Sequence, residues 1–319
     1  MTQTLETLSR RTKSMKGIRS VVHTMKTLSV INSAPYDHAA KSIGVYHDTV
    51  LDGLHAFVTH YGPVETTSPD IGQQVLIVFG SDHGLCGNYN EALASHVAAH
   101  IDVNPAAPLT VLCVGAQMAD ALSDQGIPVG DTLFPAASVD GIGRLANTLA
   151  QRLETIRHDA HPRDMAVSLA YVARDDAHGQ QPVIGALLPL DAGLVAELHS
   201  KPWVSRSLPS FTMPPDDLFT ALVRSHLFAS LFRAIAEALM TENAARLALM
   251  QQAEQSVDDK LEELMSETRG VRQNEITTEL LDVIIGFEAL RKSKPSKHSP
   301  HHNGPDDAVI NSNPERGKR

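Results

Sequence analysis

The chain has 319 residues, with 27 Lys and Arg against 37 Asp and Glu and a formal net charge of −10, which excludes a generally basic nucleic-acid binder. Its 42% apolar residues suffice for a core, yet only 8 Phe, 5 Tyr and 1 Trp contribute aromatic bulk, so helices packed with Ala, Leu and Met are expected. Cys86 and Cys113 are too few for a disulfide scaffold and lack the paired spacing of a zinc site, which fits a reducing, cytoplasmic setting.

The N-terminal residues Thr2 to Glu6 show no apolar signal core, and no run of 18 apolar residues predicts a membrane span. Residues 1–26 carry six basic side chains and one acid, Glu6. Leu8, Met15 and Val22 recur every seven residues, with Ile18 and Met25 seven apart on the neighbouring position. The spacing predicts a helix over 1–62 with Met15, Ile18, Val22 and Met25 on a coiled-coil seam; an amphipathic helix on an ordinary core is the alternative. Pro35 offers no amide hydrogen and its ring blocks the carbonyl of Ile31, so a kink or break is expected there, with the helix resuming near Ala39.

Residues 63–214 have a different texture. Apolar runs at 75–79, 109–114, 165–172 and 183–188 read as strands, and helical patterns lie at 88–101, 116–124 and 139–158. Such alternation predicts a mainly parallel, doubly covered sheet, bounded by linkers rich in Pro, Ser and Thr at 63–74 and 201–217. The loop GSDHGLCGN at 80–88 follows a strand and opens a helix, where phosphate-binding loops sit. Gly80, Gly84 and Gly87 match neither the dinucleotide fingerprint nor a P-loop, so a tight strand-to-helix turn is favoured over a nucleotide site. Ser81, Asp82 and His83 are consecutive and cannot form a hydrolase relay. Asp82, His83 and Cys86 read as a hydrogen-bonded turn before they read as a metal site, which wants four spaced ligands. No catalytic centre, cofactor or metal is predicted.

From about 215 the pattern runs to 290 with no Pro after Pro215 and no Gly before Gly270, and Asp216 or Asp217 is placed to cap its start. Leu247, Met250, Val257, Leu261, Leu264 and Val271 keep a three-four spacing. A helix of that length measures about 110 Å, well beyond the diameter of a compact chain of this size. It carries 14 acids against six bases, opposite in sign to the first helix, which favours the two lying side by side. Near its end Ile276, Leu280, Leu281, Val283, Ile284, Ile285, Phe287 and Leu290 occupy nearly every face, and a helix apolar all round must be surrounded, here by other chains. A buried strand over 281–285 is the alternative. Residues 291–319, with His301 and His302, form a polar tail expected to be disordered.

These features resemble the gamma-subunit family of F-type ATP synthases from about residue 4 to residue 290. RRTKSMKGIRSVVHTMKTLS is similar to that family's basic opening helix with its Met-Lys pair, here Met25 and Lys26. SDHGLCGN resembles its Ser-Asp-Arg-Gly-Leu-Cys-Gly motif, and the segments Leu231–Met250 and Arg272–Leu290 are similar to its two characteristic C-terminal stretches. The resemblance implies a central rotor stalk: an antiparallel coiled coil of the terminal helices within a ring of alpha and beta subunits, and a Rossmann-like α/β domain standing on the epsilon subunit and the c-ring. It implies coupling of ion flow to rotational catalysis, nucleotides held by the partner subunits, and a peripheral position on the cytoplasmic face of a bacterial membrane. Arg272, Gln273 and Thr277 match the family's contact with a beta-subunit catch loop, and Ile276, Leu280, Val283, Ile284 and Phe287 become an apolar bearing tip.

The departures are His83 in place of the motif's Arg, Asn32 to Pro35 within the first helix, Gly286 and Phe287 in place of part of the family's small-residue C-terminal end, and the 29-residue tail. They imply a divergent bacterial lineage of the complex, with the N-type among the candidates. A non-rotary coiled-coil adaptor with an α/β head is the runner-up, and a Rossmann-like enzyme using the loop at 80–88 is the third reading. Neighbouring genes for two long P-loop proteins would separate the first two, and micromolar binding of ATP or NAD would support the third.

Overall fold

The computed structural model describes residues 4–62, 72–103, 108–159, 165–175, 179–207 and 210–292. The polar tail from 293 and most of the first linker lie outside the described residues. In chain order the elements are α1 (Leu5–Tyr61), β1 (Gln73–Phe79), α2 (Tyr89–Val103), β2 (Leu109–Val114), α3 (Ala116–Asp124), β3 (Asp131–Leu133), α4 (Val139–Asp159), β4 (Met165–Asp175), β5 (Gly179–Leu188), α5 (Ala192–Ser200) and α6 (Pro215–Lys292).

The strands form one sheet in the order β3-β2-β1-β4-β5, parallel except for the antiparallel β4–β5 hairpin. Alternate residues of β1 explain its two covered faces. Val75, Ile77 and Phe79 pack with Ile142 and Leu149 of α4 and Leu231 and Ile235 of α6. Leu76 and Val78 face the other way, onto Leu93 and Val97 of α2 and Met118 and Leu122 of α3. The four apolar runs of the sequence are thus strands. The three-residue β3, the nine-residue α5 and the start of β5 at Gly179 were not foreseen, because short or polar segments carry too little periodicity.

The close approach of β1 to α3 depends on glycine. Gly115 has φ 106°, and a Cβ there would lie 2.5 Å from the carbonyl oxygen of Ser81. A Cβ on Gly80 would meet the side chain of Met118 at the same distance.

The described residues divide into two compact units, 4–12 with 263–292, and those within 13–262. In the larger unit α1 and α6 pair antiparallel: Arg19 meets Asp258, Lys26 meets Glu254, His47 meets His226 and Phe57 meets Phe219. Along α1, burial recurs every seven residues at Leu8, Val22, Ser29, Tyr36, Val50 and Phe57, with Met15 and Ile43 half-buried. In the smaller unit Leu8 and Leu264 are buried, Val271 is half-buried, and every position from Arg272 to Arg291 is exposed.

Three expectations change. Pro35 lies inside α1 and the helix does not break there: Tyr36 and Ala39 beside it are buried in the sheet core, which holds the segment helical on both sides of the proline. Ile18 is 49% exposed and leaves the seam, since the buried ladder passes through Met15 and Val22, a little way around the helix. Asp216 and Asp217 fall inside the first turn of α6, which starts at Pro215, so they act on the helix dipole and do not cap it. By length and composition α6 is also apolar enough to cross a bilayer, but its Leu231, Ile235 and Leu239 lie in the core.

Candidate functional site

The C-terminal part of α6 is helical throughout, so residues 281–285 are not a strand. Ile276, Leu280, Leu281, Val283, Ile284, Ile285, Phe287 and Leu290 are between 51% and 73% exposed. These positions step around the whole helix, so no single neighbouring helix would cover them. Arg272, Gln273 and Thr277 are exposed next to them. Thr277 donates its hydroxyl to the Gln273 carbonyl at 2.8 Å, and the Gln273 amide and the Arg272 guanidinium are among the outward polar groups of that turn.

On the coiled-coil seam, Val22 is buried and Met15 and Met25 are half-buried. Beside the seam an ion-pair ladder links the helices. Arg19 Nε lies 2.7 Å from Asp258, and Lys26 Nζ lies 2.6 Å from Glu254, which His23 also reaches at 3.3 Å. Hydrogen bonds from Lys26 and His23 hold the Glu254 carboxyl below its ordinary value. Nearer the far end of α1, His47 Nε2 and His226 Nδ1 sit 3.0 Å apart across the helix pair. Burial pushes His226 down to about 4, helped by its His47 neighbour.

The loop at 80–88 is closed by its own protein. The Asn90 side-chain oxygen accepts from the Ser81 amide at 3.0 Å, and its nitrogen donates to the Ser81 hydroxyl at 2.8 Å. The Asp82 carboxylate accepts from the Ala116 amide at 3.1 Å, placing a negative group at the N-terminus of α3. Leu85 is left-handed, with φ 65°. Arg246 of α6 donates to the carbonyl of His83 at 3.2 Å and lies 3.5 Å from that of Gly84. Nothing in this geometry cradles a phosphate, since a carboxylate already occupies the α3 amide and the loop carbonyls face a guanidinium. His83 Nδ1 lies 3.8 Å from Asp82, and among the described residues no cluster of His, Cys, Asp or Glu is arranged to hold a metal ion. Cys86 and Cys113 are buried, and burial raises both thiols, Cys113 to about 12, which disfavours the nucleophilic thiolate.

Sequence reasoning missed the partners of this loop. Arg246 is pinned by Glu242 at 2.6 Å, and burial holds the Glu242 carboxyl above its usual range in spite of that cation. The Tyr89 hydroxyl donates to the Ala238 carbonyl at 3.0 Å. The Thr241 hydroxyl donates to the Val172 carbonyl at 2.9 Å. The signal was present: Thr241, Glu242 and Asn243 are three polar residues set inside an otherwise apolar stretch of α6, with Arg246 one turn beyond Glu242.

Comparison with known proteins gives a consistent picture. The family model described as ATP synthase matches residues 4–290. The ATP synthase gamma chain of Bartonella henselae is 27% identical over 301 residues, covering 90% of this chain and 99% of that one. The ATP synthase gamma chain of Bdellovibrio bacteriovorus is 24% identical over 284 residues, covering 88% and 93%. Among solved structures, a chain of the Euglena gracilis mitochondrial ATP synthase, OSCP/F1/c-ring in rotational state 3, superposes with a TM-score of 0.59 at 17% identity, covering 93% of this chain and 99% of that one. A chain from the rotor of the same organism's enzyme in rotational state 1 gives 0.56 at 15% identity, covering 85% and 98%. At these identities the structural likeness speaks for the fold.

Proposed function

The chain belongs to the ATP synthase family, matched over residues 4–290, and from that premise we propose that it is the central rotor stalk, the gamma subunit, of an F-type ATP synthase. The observation that carries this reading is the end of α6, where large apolar side chains from Ile276 to Leu290 point outward on all faces and none of the described residues covers them. A ring of partner subunits supplies such a cover; a single partner helix does not. The partners are the alpha and beta subunits around the coiled coil, and the epsilon subunit and c-ring at the α/β domain. Catalysis belongs to the beta subunits, and the complex sits on the cytoplasmic face of the bacterial membrane.

The mechanism is conformational coupling. A rotor influences a catalytic site only through contacts that differ between that site's open and closed states. A helix end of uneven apolar side chains presents a different surface to each surrounding subunit, so each site has a different nucleotide affinity and rotation exchanges them. The apolar residues give weak, non-directional contact suited to a bearing. Arg272 and Gln273 give directional contacts that mark stopping angles, with Thr277 fixing the turn that presents them.

The test is co-purification of the chain with the alpha and beta subunits from the same genome, followed by ATP hydrolysis and ATP-driven ion pumping. Deleting residues 276–290 should weaken assembly or torque. Undiminished ATP synthesis by the deleted form would contradict the bearing assignment.

A further inference from the structure

Open α/β sheets receive ligands in the crevice at the carboxyl ends of their strands, where the strand order reverses. In this sheet the reversal falls at β1, between β2 and β4. The crevice is filled by α6. Tyr89, at the start of α2, donates to the Ala238 carbonyl; Thr241 donates to the Val172 carbonyl of β4; Gln180 of β5 donates to the Thr241 carbonyl at 3.1 Å; and Arg246 reaches the carbonyls of the β1–α2 loop. α1 closes on the same place through Tyr36, whose buried phenol is raised by burial and by the charge of Glu242.

We propose that residues 238–246 of α6, gripped in this crevice by loop 80–88, form a torsional clasp that makes the sheet domain and the α1–α6 pair turn as one body, with Arg246 as its positioning residue. The inference rests on the rotor reading and deepens it.

Two kinds of contact hold α6 to the sheet domain. On one side Phe228 and Phe232 pack onto the sheet core, and a Cβ on Gly143 of α4 would reach both rings at about van der Waals distance. Such contacts resist separation but are non-directional, so they tolerate small sliding and rotation. The crevice side is directional. Hydrogen bonds fix distance and angle, and here they arrive from three separate parts of the sheet domain, the β1–α2 connection, β4 and β5. Three directions of attachment define the rotation of α6 about its own axis and its position along that axis. Arg246 is the member that ties the loop: the same Nη2 that Glu242 holds from one turn earlier on the helix donates to the His83 carbonyl and lies beside that of Gly84, so the carboxylate fixes where the guanidinium meets the loop. The loop is rigid in turn, through the Ser81–Asn90 and Asp82–Ala116 hydrogen bonds.

The test uses the assembled complex with the catalytic ring immobilised and a bead attached through Gln117→Cys, at an exposed position of α3; Cys86 and Cys113 are buried, so the added thiol is the reactive one. The readout is the variance of the bead angle while the rotor waits for ATP. Removing the charged tie with Glu242→Leu and Arg246→Met together should widen the variance by about twofold, because stiffness carried by a hydrogen-bond network falls as its anchors are removed. Arg246→Lys should fall between. Phe228→Leu, on the apolar side, should lower the melting temperature without widening the variance, which separates a clasp from a merely structural contact. If the double variant does not assemble, Tyr89→Phe removes one hydroxyl only and should widen the variance by less. An unchanged variance in every assembled clasp variant overturns the proposal. A bead on the unaltered chain that never turns with ATP overturns the rotor reading itself, and the clasp with it.

Discussion

Arg246 and Glu242 show what a buried ion pair does at one spot in this chain. Both side chains are nearly out of solvent, and Glu242 is raised by burial even with a cation 2.6 Å away. Arg246→Met alone leaves a buried carboxylate without its partner, at a cost of about 3 kcal/mol near neutral pH. A carboxyl whose folded value lies above its unfolded value binds the extra proton in the folded state, so stability falls as pH rises through that interval. Urea unfolding of the single variant should therefore show stability regained as the buffer is acidified from pH 7, while the Glu242→Leu, Arg246→Met double variant should show little of that gain.

His226 works in the opposite direction. Its value is lowered to about 4 by burial and by His47, and His47 is lowered by burial and by Arg233, against the opposing pull of Asp48. The folded state thus binds fewer protons than the unfolded chain between about pH 4 and pH 6.5, and stability is lost as pH falls through that window. The contribution of His226 is on the order of 3 kcal/mol across the full window. Denaturant titrations at pH 7 and pH 5 should show the loss in the unaltered chain and a smaller one in His226→Leu.

At the scale of elements, the two long helices were the most legible part of the sequence, because charge sign and heptad spacing are carried by many residues at once. The ladder Arg19–Asp258 and Lys26–Glu254 is the local form of the basic-first, acidic-last asymmetry. Which residues line the seam was less legible: Ile18 and Met25 are spaced as regularly as Met15 and Val22, yet Met25 is half-buried and Ile18 exposed, and only packing decides that. Leu261, 5% exposed on α6, against Ile18, 49% exposed on α1, turns this into a measurement. Leu261→Ala should cost about 2–5 kcal/mol by lost burial and a residual cavity, and Ile18→Ala should stay within about 0.5 kcal/mol, both read from thermal unfolding of the isolated chain. Pro35 illustrates the same limit from the other side, since the local rule against proline in a helix yields to Tyr36 and Ala39 held in the core. The loop at 80–88 was readable as a tight turn from its glycines, but its fastening to α6 was not, because Arg246 is 163 residues away in the chain from the His83 carbonyl it meets.

For the molecule as a whole, folding and assembly draw on different residues. The buried set that holds the sheet domain and the helix pair together ends at Leu264, and nothing from Arg272 to Arg291 is buried. A chain ended after Glu275 should therefore melt within a degree or two of the full chain while losing its hold on the catalytic ring, a separation that calorimetry and co-purification would read independently. A large drop in melting temperature would mean that the end of α6 belongs to the fold and not to the interface.

The wetted hydrocarbon between Ile276 and Leu290 also bears on how a cell must handle newly made copies. An orphan, released before its mates are ready, offers this stretch to any other orphan, and such encounters grow with concentration. Translation of this polypeptide has to be kept in stoichiometric step with that of its mates, and surplus molecules become work for chaperones and proteases.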